Sequence, residues 1–363
     1  MSAPGTVIWA GFGLGIVLGA AGRLSGFCLY RGLKERWSGG DGRPLRGFAL
    51  ALLVALVGTQ ALQFAGWIEL GQSAYLRTAF SAPAIFLGGL VFGAGMVLAN
   101  GCGFRALVLL GGGNLRSLVV LLCLGTAGYA ALTGVLAGAR GALGQIGRVE
   151  LSLPPSLPEL LALAGLPAGA ATLLVTGLVA LALLAFVLRE RAPAGRRLAD
   201  SPALVFGSAL VGACIVAGWA VTGVLGADDF EPVPLASASF IVPVGDTLLY
   251  LMQAVGRALA FGPALVAGVV VGSFLLAAAR RDWRIEGFSA ARPVGRYLAG
   301  GALMGVGGVF AVGCSIGQGL SGASTLSLTS LVAIAGILAG TALTLRATTT
   351  PSTAFDNKGE ETA

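Results

Sequence analysis

The feature that most constrains this fold is a ten-residue segment that occurs twice, each time ending in Gly-Cys. Gly93–Cys102 (GAGMVLANGC) reappears 212 residues later as Gly305–Cys314 (GVGGVFAVGC), and the correspondence continues without a gap until Gly128 pairs with Gly340. Both copies lie in long apolar stretches. Interruptions at corresponding places in two hydrophobic halves are typical of membrane transporters. We therefore expect two related halves, each with a broken helix.

The composition predicts an all-α integral membrane protein. Mean hydropathy is +0.89, and 11% of the residues are charged, whereas soluble domains carry about 25%. A spanning helix needs about 20 apolar residues, which gives about nine transmembrane helices here. The predicted spans are 6–27, 46–66, 82–100, 116–138, 166–188, 203–226, 260–279, 294–313 and 326–346. Shorter apolar pieces near 103–111, 243–257 and 316–323 are too short to cross and are expected to form half-membrane helices.

The net charge of +7 reports membrane orientation, and we expect no nucleic-acid partner. Basic residues concentrate in the segments 31–46, 189–197 and 280–296, between predicted spans. Acidic residues occupy the opposite loops, at Glu69, Glu150, Glu159, Asp228, Asp229 and Glu231. Cytoplasmic loops carry the excess of Lys and Arg. The distribution therefore predicts a multi-pass protein in a lipid bilayer, with the N-terminus outside and the C-terminus in the cytoplasm.

This orientation makes the two copies of the repeat antiparallel. The span before Cys102 runs inward, and the span before Cys314 runs outward. Repeats of this kind are related by a pseudo-twofold axis in the membrane plane and place a substrate site near the bilayer midplane. We therefore predict an inverted pseudo-twofold repeat.

The repeat also divides the chain into four parts. Residues 1–140 form the first repeat half, and 203–346 form the second, inverted half. Between them, 141–202 is a connecting segment with a linker transmembrane helix. The end, 347–363, is polar and without periodicity, so we expect a disordered cytoplasmic tail.

The five cysteines fall into two groups. Cys123 and Cys214 lie inside continuous apolar helices, where a free thiol is ordinarily a small packing residue. Cys28, Cys102 and Cys314 lie at predicted helix breaks, where irregular backbone must line a cavity or be buried in protein. Glycine permits the backbone angles of such breaks, and the expected helix-break glycines are Gly26, Gly101, Gly103, Gly313 and Gly317.

The residue types limit the chemistry. The chain has no histidine and no Cys-x-x-Cys spacing, so we expect no catalytic residues, no metal, no cofactor and no enzyme activity. Three polar residues near the breaks are candidate substrate contacts: Asn100, Arg105 and Gln318. Two alternatives stay open, since Arg105 can extend to lipid headgroups and Gln318 can cap a neighbouring helix.

Three cysteine motifs resemble those of the YeeE/YedE family of sulphur-transport-domain membrane proteins. They are Gly26–Gly32 (GFCLYRG), Asn100–Arg105 (NGCGFR) and Gly313–Gly319 (GCSIGQG). The resemblance implies an hourglass-like fold, uptake of thiosulfate across the bacterial inner membrane, a functional role for the three cysteines and a cytoplasmic sulfurtransferase-like partner. The sequence departs from the family pattern at residues 219–223 (WAVTG), where the resemblance would place a fourth constriction loop.

The resulting hypothesis is a transporter that passes thiosulfate, or a closely related sulfur oxyanion, through a Cys-lined constriction. Neutral thiols are weak donors, and conduction needs binding weak enough to release the ion, so we expect a relay of S–H hydrogen bonds. Cys314 is expected to be met from outside, with Cys102 and Cys28 toward the cytoplasm. Two alternatives remain: an integral-membrane sulfurtransferase or thiol oxidoreductase using the same cysteines, and transport of a selenium compound.

Overall fold

A computed structural model of the chain describes residues 3–40, 42–189, 198–228, 231–288 and 292–349. Most of the expected disordered tail, from 350 onward, and most of the basic segment 189–197 lie outside the described residues. Positions 347–349, assigned to that tail, instead extend the last helix.

Helices make up nearly all of the described chain. The α-helices are α1 Ala3–Ser25, α2 Leu29–Trp37, α3 Arg43–Phe64, α4 Ala82–Leu98, α5 Gly103–Gly111, α6 Leu115–Leu132, α7 Ala137–Gln145, α8 Leu157–Leu163, α9 Ala168–Leu188, α10 Pro202–Ala220, α11 Ile241–Met252, α12 Phe261–Ala279, α13 Arg292–Phe310 and α14 Leu328–Thr349. Two π-helical segments, Val221–Leu225 and Gly317–Gly322, and three 3₁₀ turns, Leu70–Gln72, Ala74–Leu76 and Leu198–Asp200, complete the helical elements. The strands are β1 Ala79–Ser81 and β2 Arg148–Glu150.

The number of spanning helices is lower than expected. Among the described residues, eight helices are long and apolar enough to cross a membrane, rather than about nine. The predicted span 294–313 does form a helix, α13, but α13 is not one of the eight. Arg296 and many glycines reduce its apolar content. Because α13 packs against both α4 and α6, it is sheltered by protein on two sides.

Glycines set the distance between the main helix pairs. α1 packs along α12, and α4 packs along α14. A Cβ atom at Gly19 would lie 2.1 Å from the carbonyl oxygen of Val269 on α12. A Cβ atom at Gly340 would lie 2.0 Å from the carbonyl oxygen of Leu90 on α4. Small residues that let backbones touch are the usual packing device in membranes.

The connecting segment is more structured than the sequence indicated. It contains α7, β2 and α8 before the long helix α9. Strand β2 pairs antiparallel with β1, with Ala79 opposite Glu150. α9 packs on α3 and α8 and leaves side chains such as Leu178 and Leu181 exposed. α9 therefore lies at the periphery of the described helices.

Glycine substitutions on one helix will test this packing. We expect Gly19→Ala to lower the free energy of unfolding by about 1–3 kcal/mol, because the new methyl group meets a backbone oxygen that cannot rotate away. Gly13→Ala on the same helix is the matched control, since nothing lies within 4 Å of a Cβ there. Thermal unfolding of the two variants in detergent measures the difference, and equal stability would show that α1 and α12 are farther apart.

Candidate functional site

The three predicted site cysteines are presented by one backbone motif. In each case a helix ends just before the cysteine. The residue two positions before the cysteine has a left-handed φ. The residue one position before the cysteine donates its N–H to a carbonyl oxygen of the preceding helix. The left-handed residues are Gly26 (φ 59°), Asn100 (φ 55°) and Val312 (φ 58°). The returning hydrogen bonds are Phe27 N to Gly22 O at 3.1 Å, Gly101 N to Met96 O at 3.0 Å and Gly313 N to Gly308 O at 2.8 Å. This is the Schellman type of helix end.

Only two of the five predicted helix-break glycines have the positive φ that was expected of them. Gly26 has the left-handed angle, and Gly313 has φ 156°. Positive φ is absent from the other three predicted break glycines, Gly101, Gly103 and Gly317. At the second and third breaks the left-handed residues are Asn100 and Val312 instead. Asparagine tolerates this conformation, whereas a β-branched valine is strained in it, so the backbone at Val312 is held by its surroundings.

A short helical segment begins directly after each cysteine. Cys28 is the N-cap residue of α2, and Cys102 is the N-cap residue of α5. Cys314 Sγ accepts a hydrogen bond of 3.2 Å from the backbone N–H of Gly317, where the second π-helical segment starts. The first N–H groups of a helix lack intrahelical partners and carry partial positive charge. All three thiols are buried. Because each thiol lies where a new helical segment begins, each is close to an electropositive helix N-terminus.

The thiols belong to one cluster. The side chains of Cys28 and Cys102 are neighbours that act electrostatically on each other. The side chain of Ser315, the residue after Cys314, lies close to Cys102. Ser315 Oγ is buried and has no hydrogen-bond partner among the described residues. The structure thus brings the three interrupted helices together and leaves a hydroxyl without a partner beside their thiols.

Beyond Cys314 lies a group of residues that the sequence did not indicate. The Tyr75 hydroxyl lies beside Ser239, and both groups face Gly317, where a Cβ atom would lie 2.9 Å from Ser239 Oγ and 3.3 Å from Tyr75 Oη. The backbone of Phe240 lies close to the Cys314 sulfur. Burial raises the pKa of Tyr75, so its hydroxyl stays protonated at neutral pH. We call this end of the cluster the Tyr75 side.

Beyond Cys28 and Cys102 lies the opposite end, which we call the Arg105 side. A cavity of about 410 Å³ opens there, and Cys102, Arg105 and Asn100 line it. The Arg105 guanidinium is partly buried and acts electrostatically on Cys28. The sequence-predicted polar residues Asn100 and Arg105 therefore lie beside the thiols, and the cavity position of Arg105 favours an anion contact over an extension to lipid headgroups.

Gln318 is used inside the protein. Its Nε2 donates to the carbonyl oxygen of Ala311 at 2.7 Å, and its Oε1 accepts from Ser330 at 2.6 Å. Arg296 caps the end of α4 in a similar way, since its Nη2 donates to the carbonyl oxygen of Val97 at 3.1 Å. Both side chains satisfy carbonyl groups left over at helix ends. The capping alternative therefore fits Gln318 better than a substrate contact.

Residues 219–223 do not form the expected fourth constriction loop. α10 continues into the π-helical segment Val221–Leu225 without a left-handed residue. Trp219 is fully buried and donates from Nε1 to Ser324 Oγ at 3.3 Å, and its ring contacts Tyr75 edge to face. No group of three or more His, Cys, Asp or Glu that could hold a metal ion occurs within the described chain.

Comparison with known proteins gives two findings. The family described as sulphur transport matches residues 24–343, a region that includes all three cysteine motifs. The thiosulfate transporter TsuA of Escherichia coli (strain K12) is 27% identical over 331 residues, which cover 87% of this chain and 87% of that protein.

The contact between two thiols can be tested by oxidation. We expect a small membrane-permeant oxidant to link Cys28 and Cys102 as a disulfide, because a modest shift brings neighbouring sulfurs to bonding distance. Mass spectrometry of peptides from the blocked, unreduced protein identifies the link. Cys123 and Cys214, on separate helices, should remain thiols. A linked peptide that joins any other pair, with none joining Cys28 to Cys102, would refute the arrangement.

Proposed function

Because the chain is a multi-pass membrane protein that belongs to the sulphur transport (YeeE/YedE) family, we propose that it takes up thiosulfate, or a closely related sulfur oxyanion, across a bacterial inner membrane. The relative that shares 27% identity is named as a thiosulfate transporter. One observation carries the proposal: the same backbone motif presents three buried thiols in a row between the Tyr75 side and the Arg105 side.

We call Cys314, Cys102 and Cys28 the row. Their arrangement suggests the order in which a transported anion meets the three thiols. From the Tyr75 side an anion meets Cys314 first, then Cys102 with Ser315, and then Cys28. The basic segment 280–296 lies on the Arg105 side, since its residues Glu286 and Gly287 line the cavity there. By the positive-inside rule this side faces the cytoplasm. The N-terminus is then periplasmic, the C-terminus is cytoplasmic, and transport runs inward.

The chemistry of the row suits the passage of a dianion. Thiosulfate needs donors, yet a site built of arginines would hold it too firmly to conduct. Neutral thiols are weak donors with polarisable sulfur. The backbone ends behind them favour an anion by roughly 0.3–1 kcal/mol each. The anion passes from thiol to thiol by S–H hydrogen bonds, with no covalent intermediate, and then meets Arg105, which lines the cavity together with Cys102.

The same row is the centre of the proposed inverted repeat. α4 ends at Leu98 and α13 ends at Phe310, positions 212 residues apart in the sequence. The left-handed residues Asn100 and Val312 keep that spacing. This agreement of backbone geometry supports two copies related by a pseudo-twofold axis, and an hourglass whose narrow centre is formed by the interrupted helices. On the cytoplasmic side, a sulfurtransferase-like protein would receive the anion.

Cysteine substitutions test the relay. We expect Cys28→Ala, Cys102→Ala and Cys314→Ala each to lower the initial rate of uptake by about tenfold or more, because each removes one donor from a buried path and leaves the anion unsolvated there. Uptake of labelled thiosulfate into liposomes that contain only the purified protein measures the rate. Cys123→Ala and Cys214→Ala are the controls and should transport at the unsubstituted rate.

Two results would count against this function. If all three single substitutions at the row transport normally, the thiols do not carry the anion. If a persulfide or mixed disulfide accumulates on one of them during turnover, the sulfurtransferase alternative replaces the relay.

A further inference from the structure

The cavity on the Arg105 side contains a fixed carboxylate that the relay does not use. Glu286 lies in an extended segment docked on the turn between α5 and α6, where its N–H donates to Gly113 O at 3.1 Å and its carbonyl accepts from Leu115 N at 2.8 Å. Its side chain is held as well, since Asn114 Nδ2 donates to Glu286 Oε2 at 2.8 Å. The carboxylate is therefore built into the cavity wall.

The same cavity contains a guanidinium without a counter-ion. Arg105 lines it beside Cys102, and among the described residues it has neither a hydrogen-bond acceptor nor an ion-pair partner. A partly buried cation that is left unpaired is costly. Glu286 lines the same space, yet the two side chains form no salt bridge with each other. The Arg105 guanidinium is therefore available to a small anion that enters the cavity beside Cys102.

The volume and the lining suit a small, hydrated, divalent oxyanion. A cavity of about 410 Å³ is much larger than such an ion, so water shares the space. Asn100 and Asn114 add amide donors, and Arg116 lies on the wall with its Nε donating to Gly287 O at 2.9 Å. Among the described residues that line the cavity, the positive charges of Arg105 and Arg116 exceed the negative charge of Glu286 by one. This excess attracts a dianion, but less strongly than two arginines would without the carboxylate.

We propose that this cavity is a second anion-binding site, in which Arg105 holds a sulfur oxyanion that has left the thiols and Glu286 shortens its stay. The identity of the anion rests on the proposed function; the existence of the site does not. Glu286 repels the dianion across the cavity, and weak binding at the last site is what release requires. Glu286 is therefore a release determinant, and Arg105 is the principal ligand.

The site can be measured apart from the relay. The probe is labelled thiosulfate, and the protein is the full chain carrying Cys28→Ala, Cys102→Ala and Cys314→Ala in detergent. This protein should still bind the probe, and adding Arg105→Gln should weaken binding roughly tenfold or more. No binding by the triple variant, or binding that Arg105→Gln leaves unchanged, overturns the proposal.

The second arm uses the protein with its cysteines intact. Glu286→Gln keeps an oxygen for the Asn114 hydrogen bond and removes the charge, so we expect the affinity for thiosulfate to rise roughly fivefold to tenfold. Misfolding cannot produce a gain in affinity. Glu159→Gln, on α8 and away from the cavity lining, is the matched control and should leave the affinity unchanged. An affinity that Glu286→Gln does not raise overturns the role of this carboxylate.

The two proposals fail separately. Arg105-dependent binding in a protein that does not transport thiosulfate in liposomes would leave the cavity site standing and remove the relay. Transport by the unsubstituted protein, together with no Arg105-dependent binding, would remove the cavity site and leave the relay standing.

Discussion

The structure depends on how the backbone groups of broken helices are satisfied inside a membrane. No water is available there to pair with free N–H and C=O groups. At the breaks after α4 and α13 the carbonyl side is met by long side chains, Arg296 on Val97 and Gln318 on Ala311. The free N–H groups at the start of each new helical segment point toward the centre of the protein, and a cysteine thiol lies at each of these starts. An electropositive centre is the direct result.

Close helix packing is what turns three separate breaks into one site. α1 and α4 run against α12 and α14 with glycine at the contacts, and the glycine-rich α13 fits between α4 and α6. A larger side chain at these contacts would push the interrupted segments apart before it touched a cysteine. The many glycines of the chain therefore affect function by setting the distance between helices, because Cys28 and Cys102 can be neighbours only if their helices meet.

Much of this arrangement was predictable from sequence, and the exceptions have physical causes. The repeat located the breaks, and the short piece 103–111 coincides with α5. Tyr75 and Ser239 had no signal, because they come from irregular segments that only the tertiary fold brings to Cys314. The left-handed residues Asn100 and Val312 were hidden because each precedes a glycine, the usual residue for that conformation. α13 falls outside the eight candidate spans through its composition, since Arg296 and its glycines lower the hydropathy of a helix that is otherwise long enough to cross.

The central claim is that a sulfur oxyanion rests among the clustered thiols. The most direct measurement is the crystal structure of the protein soaked with selenosulfate, in which selenium replaces the terminal sulfur of thiosulfate and marks its position by anomalous scattering. We expect an anomalous peak within contact distance of the Cys102 sulfur and Ser315 Oγ, the buried hydroxyl that lacks a nitrogen or oxygen partner within the described chain. Selenium bound elsewhere, with none at the thiols in a well-occupied soak, would contradict a thiol-lined passage.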